Sequence, residues 1–296
     1  MKAFIAMIHR ELLEHRGAFL VAPLGLVAIL AGATILAFTV GRVDARMSGQ
    51  LMTMVPLRIA EVGLLGLAFA WLLYLMGTLF FYCADGFSAD RRNNAMLFWK
   101  SMPMSDFRVL LSKLAATLTI FPGMIFAVSL LSGLLLVVVI TVTTQIASGT
   151  GLALIGGLLG SFVQVALASI VVLVLGLLWC MPFMAAVGSL ASVVGRWAIP
   201  LSLLLPTLLS VLEWVTFGGL SPVHTHTWKY LSYRFDFPLV EGYLQGWFNA
   251  DLPFSAPSFA TDLLGRIDWP QMAVGWGFSL LAIYLASEYR RRRNDN

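Results

Sequence analysis

Apolar residues fill long runs of this chain, and charged residues gather in short segments between the runs. The longest charge-free run covers residues 114–195 and contains no Asp, Glu, Lys or Arg. A helix needs only about 20 apolar residues to cross the roughly 30 Å hydrocarbon core of a bilayer, so this run holds at least two crossings. A cluster of polar residues at 143–151 predicts one tight turn between them.

Windows of this kind, free of charge except for Glu213 in the fifth, predict six transmembrane helices. They cover about residues 17–40, 62–84, 114–142, 152–182, 197–217 and 269–287. We therefore expect an all-α integral membrane protein with a single transmembrane domain over residues 1–296. Residues 1–16 place apolar side chains at helical spacing with most charged ones opposite, which predicts an N-terminal amphipathic helix on the membrane surface. An extension of the first span is the alternative.

Composition supports the membrane class and limits what else the chain can contain. Hydrophobic residues make up 59% and charged residues 11% of the chain, whereas about 25% of residues are charged in ordinary globular proteins. At 296 residues, the chain has room for these spans and their loops but not for a large soluble catalytic domain. The net charge of +4 comes from basic residues beside apolar segments, where they orient the spans, so we expect no nucleic-acid partner.

Lys and Arg residues are distributed unevenly between the two sides that six crossings define. The side of both termini carries Lys2, Arg10, Arg16, Arg91, Arg92, Lys100, Arg108, Lys113, Arg196, Arg290, Arg291, Arg292 and Arg293. The other side carries Arg42, Arg46, Arg58, Lys229, Arg234 and Arg266. Because basic residues favour the cytoplasmic side, we expect both termini in the cytoplasm and a multi-pass protein of the plasma membrane, which in a bacterium is the inner membrane.

The cytoplasmic loop between the second and third spans, residues 85–113, carries a charged segment followed by aromatic residues. Gly86 is expected to end the incoming helix, and residues 88–99 are expected to form a short helix. A short helix held between two spans suits docking on a soluble partner, because aromatic residues and Arg dominate interface energetics. A solvated connector with Phe98 and Trp99 at the headgroup level is the alternative.

The order of residue types in this loop forms a recognisable pattern. Asp90-Arg91-Arg92 is followed by an apolar quartet, then by Ser101-x-Pro103-x-Ser105 and by Lys113 at the start of a span. The pattern resembles the first cytoplasmic loop of ABC-2-type transporter permeases, where a coupling helix sits in a groove of the ATP-binding subunit. The resemblance implies this docking role for Asp90, Arg91, Arg92, Asn93, Met96, Leu97 and Trp99. Many such permeases carry an acidic residue where this chain has Asn94 and Ala95.

This resemblance implies a permease subunit of an ATP-driven ABC transporter that exports a hydrophobic or amphipathic substrate by alternating access. It also implies a separate ATP-binding-cassette ATPase subunit with ATP and Mg²⁺, a second permease subunit that is identical or related, and contact with membrane lipid. The sequence itself contains no G-x-x-x-x-G-K-[ST] motif. We therefore expect no enzyme activity and no cofactor on this chain.

Two other classes of function remain as alternatives. A gradient-driven carrier usually needs several ionisable groups near the midplane, and Glu213 is the acid that lies well inside a predicted span, either in a substrate path or at the interface. An intramembrane enzyme needs a nucleophile beside a base, but Cys83 and Cys180 fall on the side opposite His224 and His226. The pair His224-x-His226 lacks nearby further ligands, so no metal site is expected.

The outer loop between the fifth and sixth spans, residues 218–268, is rich in aromatic residues and contains several prolines. A loop of this length is usually functional or disordered, and its aromatic content argues against disorder. We expect short helices in it, for example at residues 239–249, at the outer membrane interface or partly inside it. By the family resemblance the loop forms a gate over the exit; a passive aromatic belt is the alternative.

Overall fold

Helices form every regular element in the residues that the structure describes. The computed structural model describes residues 2–40, 56–92, 106–218, 225–237, 242–249 and 253–294. The helices are α1 (Lys2–Arg16), α2 (Ala22–Thr39), α3 (Pro56–Arg92), α4 (Asp106–Leu118), α5 (Ile120–Ser148), α6 (Gly151–Val194), α7 (Ala198–Phe217), α8 (His226–Phe235), α9 (Tyr243–Asn249), α10 (Ala256–Arg266) and α11 (Trp269–Asn294). The predicted all-α class is confirmed.

Within these residues, five helical stretches are long and apolar enough to cross a membrane. They are Ala6–Thr39, Leu57–Gly86, Phe107–Ser148, Gly151–Val194 and Ala198–Phe217. They overlap the first five predicted spans and identify a membrane protein. α11, over the predicted sixth span, is long enough but less apolar, because Pro270 and Gln271 follow its first residue and Glu288 and several arginines occupy its end. The sixth crossing stays a prediction.

Chain direction and side-chain contacts define two ends of the helix array. α3 ends at Arg92, α4 begins at Asp106, and Phe107 packs against Tyr284 near the end of α11, with ring centroids 6.5 Å apart. Because α11 continues from there to Arg290 and the arginines that follow, we call this end the basic end. The opposite end, where α5 turns into α6, is called the turn end below.

A tight turn joins α5 and α6 at Gly149 and Thr150, as the sequence predicted. Gly149 adopts a φ of 72°, in the left-handed region that favours glycine. The side chain of Gln145 accepts a hydrogen bond from the backbone of the next helix, 3.0 Å away. A β-carbon on Gly151 would collide with the backbone of Thr141. These residues fix a close helical hairpin.

α1 continues into α2 through a π-helical turn at Gly17–Val21. A π turn is wider than an α turn and leaves local carbonyls open to other donors. The Tyr74 hydroxyl donates to the Ala18 carbonyl, 2.7 Å away, and Phe19 stacks on Phe121 with ring centroids 4.0 Å apart. The N-terminal helix is thus continuous with the first span, as in the alternative expectation, and its position on a membrane surface stays a prediction.

α3 and α6 extend beyond the predicted ends of their spans. The prediction that Gly86 ends α3 is wrong, because the helix continues beyond it. A glycine costs a helix only about 1 kcal/mol relative to alanine, and the Tyr82 ring covers Gly86, 3.2 Å from where its β-carbon would stand. α6 similarly passes Pro182, the predicted end of its span, and runs to Val194. Pro182 is buried against α11, and this packing offsets its cost in a helix.

α3, α5 and α6 lie side by side in the centre, and α11 packs against α6 and α4. One buried cluster fills the basic half of this array and includes Leu75, Leu79, Cys83, Leu110, Phe121 and Ala185. A second cluster joins α3 and α6 to the helices after α7 and includes Leu64, Val165, Trp247, Phe254, Leu263 and Met272. The short outer helices are therefore part of the packed structure rather than appendages.

Candidate functional site

A buried ion pair connects three helices at the basic end. The Nζ of Lys113 in α4 lies 2.9 Å from Oε1 of Glu11 in α1, and the Tyr82 hydroxyl of α3 donates to Oε2 of the same carboxylate, 2.7 Å away. The three residues are 2%, 5% and 4% exposed, in that order. An ion pair so far from water is stable only when its remaining hydrogen-bonding positions are satisfied, and the tyrosine hydroxyl supplies such a bond.

Other polar side chains of α1 stand beside this pair. The ligand atoms of Glu11, Glu14 and His15 lie within 4.8 Å of one another, a spacing that a metal ion would tolerate. Both oxygens of Glu11, however, already accept charge-assisted or hydroxyl hydrogen bonds, and Glu14 pairs with Arg10 at 3.3 Å. The donor set therefore fits a structural ion pair better than a metal site.

The ion pair lies directly beside the loop that the sequence singled out. Tyr82 stands just before residues 85–113 and Lys113 stands at their end, so Glu11 bonds both flanks of the loop to α1. Of the predicted docking residues, Asp90, Arg91 and Arg92 form the last helical residues of α3. Asn93, Met96, Leu97 and Trp99 lie outside the described residues.

A largely apolar cavity of about 770 Å³ lies farther toward the turn end. α3, α5 and α6 form its walls, and α9 and α10 close it on the side of the outer helices. Its lining includes Gly66, Phe69, Leu72, Phe126, Val172 and Phe259. Its size is that of cavities that hold small ligands.

A second buried carboxylate, that of Glu61, forms hydrogen bonds between α3, α6 and the segment just before α10, beside this cavity. Glu61 of α3 is 2% exposed and accepts hydrogen bonds from the Ser161 hydroxyl, at 3.2 Å, and from the backbone N–H of Phe254, at 3.1 Å. Arg58 lies 3.6 Å from this carboxylate. The Arg58 guanidinium also covers the ring of Trp247, 3.6 Å from its centroid, and donates to the Trp247 carbonyl.

Glu213, the predicted candidate for a substrate path, caps a helix, and its role in a substrate path stays a prediction. Its carboxylate accepts hydrogen bonds from the backbone N–H groups of His226 and Thr227, 2.8 and 3.0 Å away, at the start of α8. The side chain of His226 is exposed, and His224 lies outside the described residues. Later in α8, the Tyr233 hydroxyl donates to Asp268, and partial burial together with this bond raises the pKa of Tyr233.

Sequence reasoning missed several buried charges. The sequence predicts Glu11 on a surface helix and Glu61 outside the second span, whereas Glu11 is 5% exposed and Glu61 lies inside α3. Arg234 was counted among the residues of the outer loop, but it is 2% exposed and lies over the Trp179 ring, 4.6 Å from its centroid. The sequence signal for Glu61 is Arg58 three residues before it, a spacing that places both on one helix face.

Comparisons with known proteins add no family to these observations. No protein-family model matches the chain, and no curated protein and no solved structure matches it either. The resemblance to ABC-2-type permeases therefore stays an expectation from the sequence of the loop at 85–113. Cys83 is a buried free thiol and Cys180 is a partly buried one.

Proposed function

We propose that this chain is the membrane-spanning subunit of an ATP-driven transporter of the ABC-2 type, and that it exports a hydrophobic or amphipathic substrate by alternating access. In this proposal a separate ATP-binding-cassette ATPase binds and hydrolyses ATP with Mg²⁺. It docks on Asp90, Arg91, Arg92, Asn93, Met96, Leu97 and Trp99. A second permease subunit, identical or related, completes the transport path.

The observation that carries the proposal is the buried contact of Glu11 with Tyr82 and Lys113. Residues 85–113 are held at both flanks by one carboxylate of α1, so a force on this loop reaches α1, α3 and α4 together. α3 and α5 then continue toward the turn end along the walls of the cavity. Rigid helices of this kind suit the transmission of a domain closure into the membrane.

The proposal includes a sixth crossing by α11 and a cytoplasmic basic end. α11 packs along α6, one of the five apolar stretches, and contacts α4. Its final arginines then lie at the same end as Arg92 and Arg108, which agrees with the preference of basic residues for the cytoplasmic side. The corresponding location is the plasma membrane, and in a bacterium the inner membrane.

Coexpression with a candidate ATPase subunit tests the docking assignment. Replacing Met96, Leu97 and Trp99 together by Asp should abolish copurification and stimulation of ATP hydrolysis, since charged residues remove the apolar contact. The matched control is Met96→Leu, Leu97→Met and Trp99→Phe, which keeps the loop apolar. Unchanged association of the Asp variant, or labelling of a cysteine introduced in residues 85–113 from outside intact cells, contradicts the proposal.

A gradient-driven carrier is the second candidate, because the structure contains more buried ionisable groups than the sequence predicted. Glu11, Glu61, Lys113 and Arg234 are all at most 5% exposed, and such groups can carry coupling ions or protons. The contacts of Glu11 and Glu61 with basic side chains and backbone donors favour a structural role. Transport by the isolated protein in liposomes, driven by an ion gradient without any ATPase, would favour the carrier.

A further inference from the structure

Ser129 differs from the other hydroxyl residues of α5 in its hydrogen bonding. Each of the others donates to a carbonyl of its own helix three or four residues earlier, namely Ser132, Thr141, Thr143, Thr144 and Ser148. The hydroxyl of Ser129 has no hydrogen-bond partner among the described residues, although the residue is half-buried. A hydroxyl withdrawn from bulk water without a partner is costly, so an additional partner is favoured there.

A small cavity of about 20 Å³ lies beside Ser129, where α3, α5 and α6 meet. Among the residues that line it, Ser129 and Ser169 carry polar side chains and the others are apolar. Both serines also line the cavity of about 770 Å³ described above, which we call the large cavity. The two cavities therefore adjoin at these serines, one from α5 and one from α6.

Ser169 supplies a hydrogen-bond acceptor on the α6 side of the small cavity. Its hydroxyl donates to the carbonyl of Val165 in its own helix, 2.7 Å away. This bond uses the single proton of the hydroxyl and leaves the oxygen free to accept another bond. The hydroxyl of Ser129 can both donate and accept. A donor on one helix and an acceptor on the other thus border the same small space.

The size and the polarity of the small cavity together select its occupant. A cavity needs about 10–15 Å³ to hold one water molecule, so a volume of about 20 Å³ admits one water and nothing larger. A dry cavity would leave Ser129 unpaired, whereas a buried water bonds groups of this kind. A metal ion would lack charged ligands there, because the lining contains no acidic residue.

We propose that the small cavity binds one ordered water molecule, which accepts a hydrogen bond from the Ser129 hydroxyl and donates one to the Ser169 oxygen. This water bridges α5 and α6 beside the large cavity. The inference concerns the water alone, so it depends neither on the ATPase partner nor on any occupant of the large cavity.

X-ray footprinting of the purified full chain detects such a water directly. Radiolysis converts a bound water into a hydroxyl radical, which oxidises the nearest side chains before it diffuses away, and mass spectrometry locates the products. Phe162 lines the small cavity but not the large one, whereas Phe121 is fully buried and lines neither. Oxidation should therefore be found at Phe162 and be absent from Phe121.

Two substitutions of serine by alanine provide a matched comparison. Ser129→Ala removes one of the two partners of the water, which should weaken its binding about tenfold and lower the oxidation of Phe162 at least about twofold. Ser192 also belongs to α6, but it is buried, bonds a carbonyl of its own helix and lines neither cavity. Ser192→Ala should therefore leave the oxidation of Phe162 unchanged.

A double variant tests the bridge itself. If one water bonds both hydroxyls, Ser169→Ala removes the acceptor of a water that Ser129→Ala has already released. The unfolding equilibrium constant of the double variant should then change by less than the product of the two single changes.

Three results would overturn the proposal. The first is a Phe162 as free of oxidation as Phe121 in the unaltered chain, since the Ser129 hydroxyl then bonds within its own helix. The second is oxidation of Phe162 that is unchanged in Ser129→Ala, or that falls equally in Ser192→Ala. The third is a double variant in which the two single changes simply multiply.

Discussion

The ion pair at the basic end predicts strong coupling between Glu11 and Lys113. Lys113→Met removes the ammonium and leaves the buried Glu11 carboxylate with the Tyr82 hydroxyl and with the His15 imidazole, 3.9 Å away. Both charges are at most 5% exposed and their atoms are 2.9 Å apart, so we expect a loss of about 3–5 kcal/mol in the free energy of unfolding. Glu11→Met should cost a similar amount, because it leaves the ammonium without its carboxylate.

The double variant Glu11→Met, Lys113→Met should be far more stable than the two losses together suggest. It leaves no buried charge, only the Tyr82 hydroxyl without its acceptor, which costs about 1–3 kcal/mol. Equilibrium unfolding from detergent micelles by sodium dodecyl sulfate, followed by circular dichroism, measures all four proteins of this cycle. If the two single losses simply add in the double variant, the residues are not coupled and the argument for a shared anchor of the loop fails.

Three further predictions concern the turn and the outer helices. Gly151→Ala should destabilise the protein by about 1–3 kcal/mol in the same unfolding assay, because the new methyl group collides with backbone, whereas Gly156→Ala, with open space around it, should be neutral or slightly stabilising. Glu213→Ala should speed hydrogen exchange in the first turn of α8 about fivefold through loss of the cap without changing transport; altered transport with unchanged exchange would support the predicted role of Glu213 in a substrate path. In a spectrophotometric titration, Tyr233→Phe should remove a tyrosine that ionises above pH 10. Because the folded-state pKa of Tyr233 lies above its unfolded value of about 10, the stability from the neutral hydroxyl is fully present below pH 10 and is lost as the pH rises through the higher folded-state pKa.

Hydropathy predicted the positions of the first five spans because it depends only on residues that are close in sequence. The absence of charge from 114 to 195 requires a lipid-embedded hairpin, and polar residues with glycines at 149 and 151 locate its turn. The ends of the helices were less predictable. Gly86 and Pro182 are usual signals for a helix end, but here the packing of Tyr82 and of α11 offsets their cost.

The polar contacts could not be predicted from the sequence, because each joins residues that are far apart along the chain. Glu61 meets the backbone of Phe254, and Arg58 covers Trp247. Hydropathy places the end of a span at a charged residue that borders an apolar run, whether that residue faces water or a buried partner. Which of the two it faces depends on the helix that packs against it, and hydropathy carries no information about that helix.

The wide turn at Gly17–Val21 sets the angular phase of the whole N-terminal helix. A π turn contains about one residue more than an α turn, and each residue of an α-helix rotates the chain by about 100°. A return of Gly17–Val21 to ordinary α-helical pitch with all five residues kept would therefore rotate Glu11 by roughly a quarter of a revolution about the helix axis. Its carboxylate would then point away from Lys113. The π-helical turn thus absorbs one additional residue and keeps Glu11 on the side of α1 that faces Lys113.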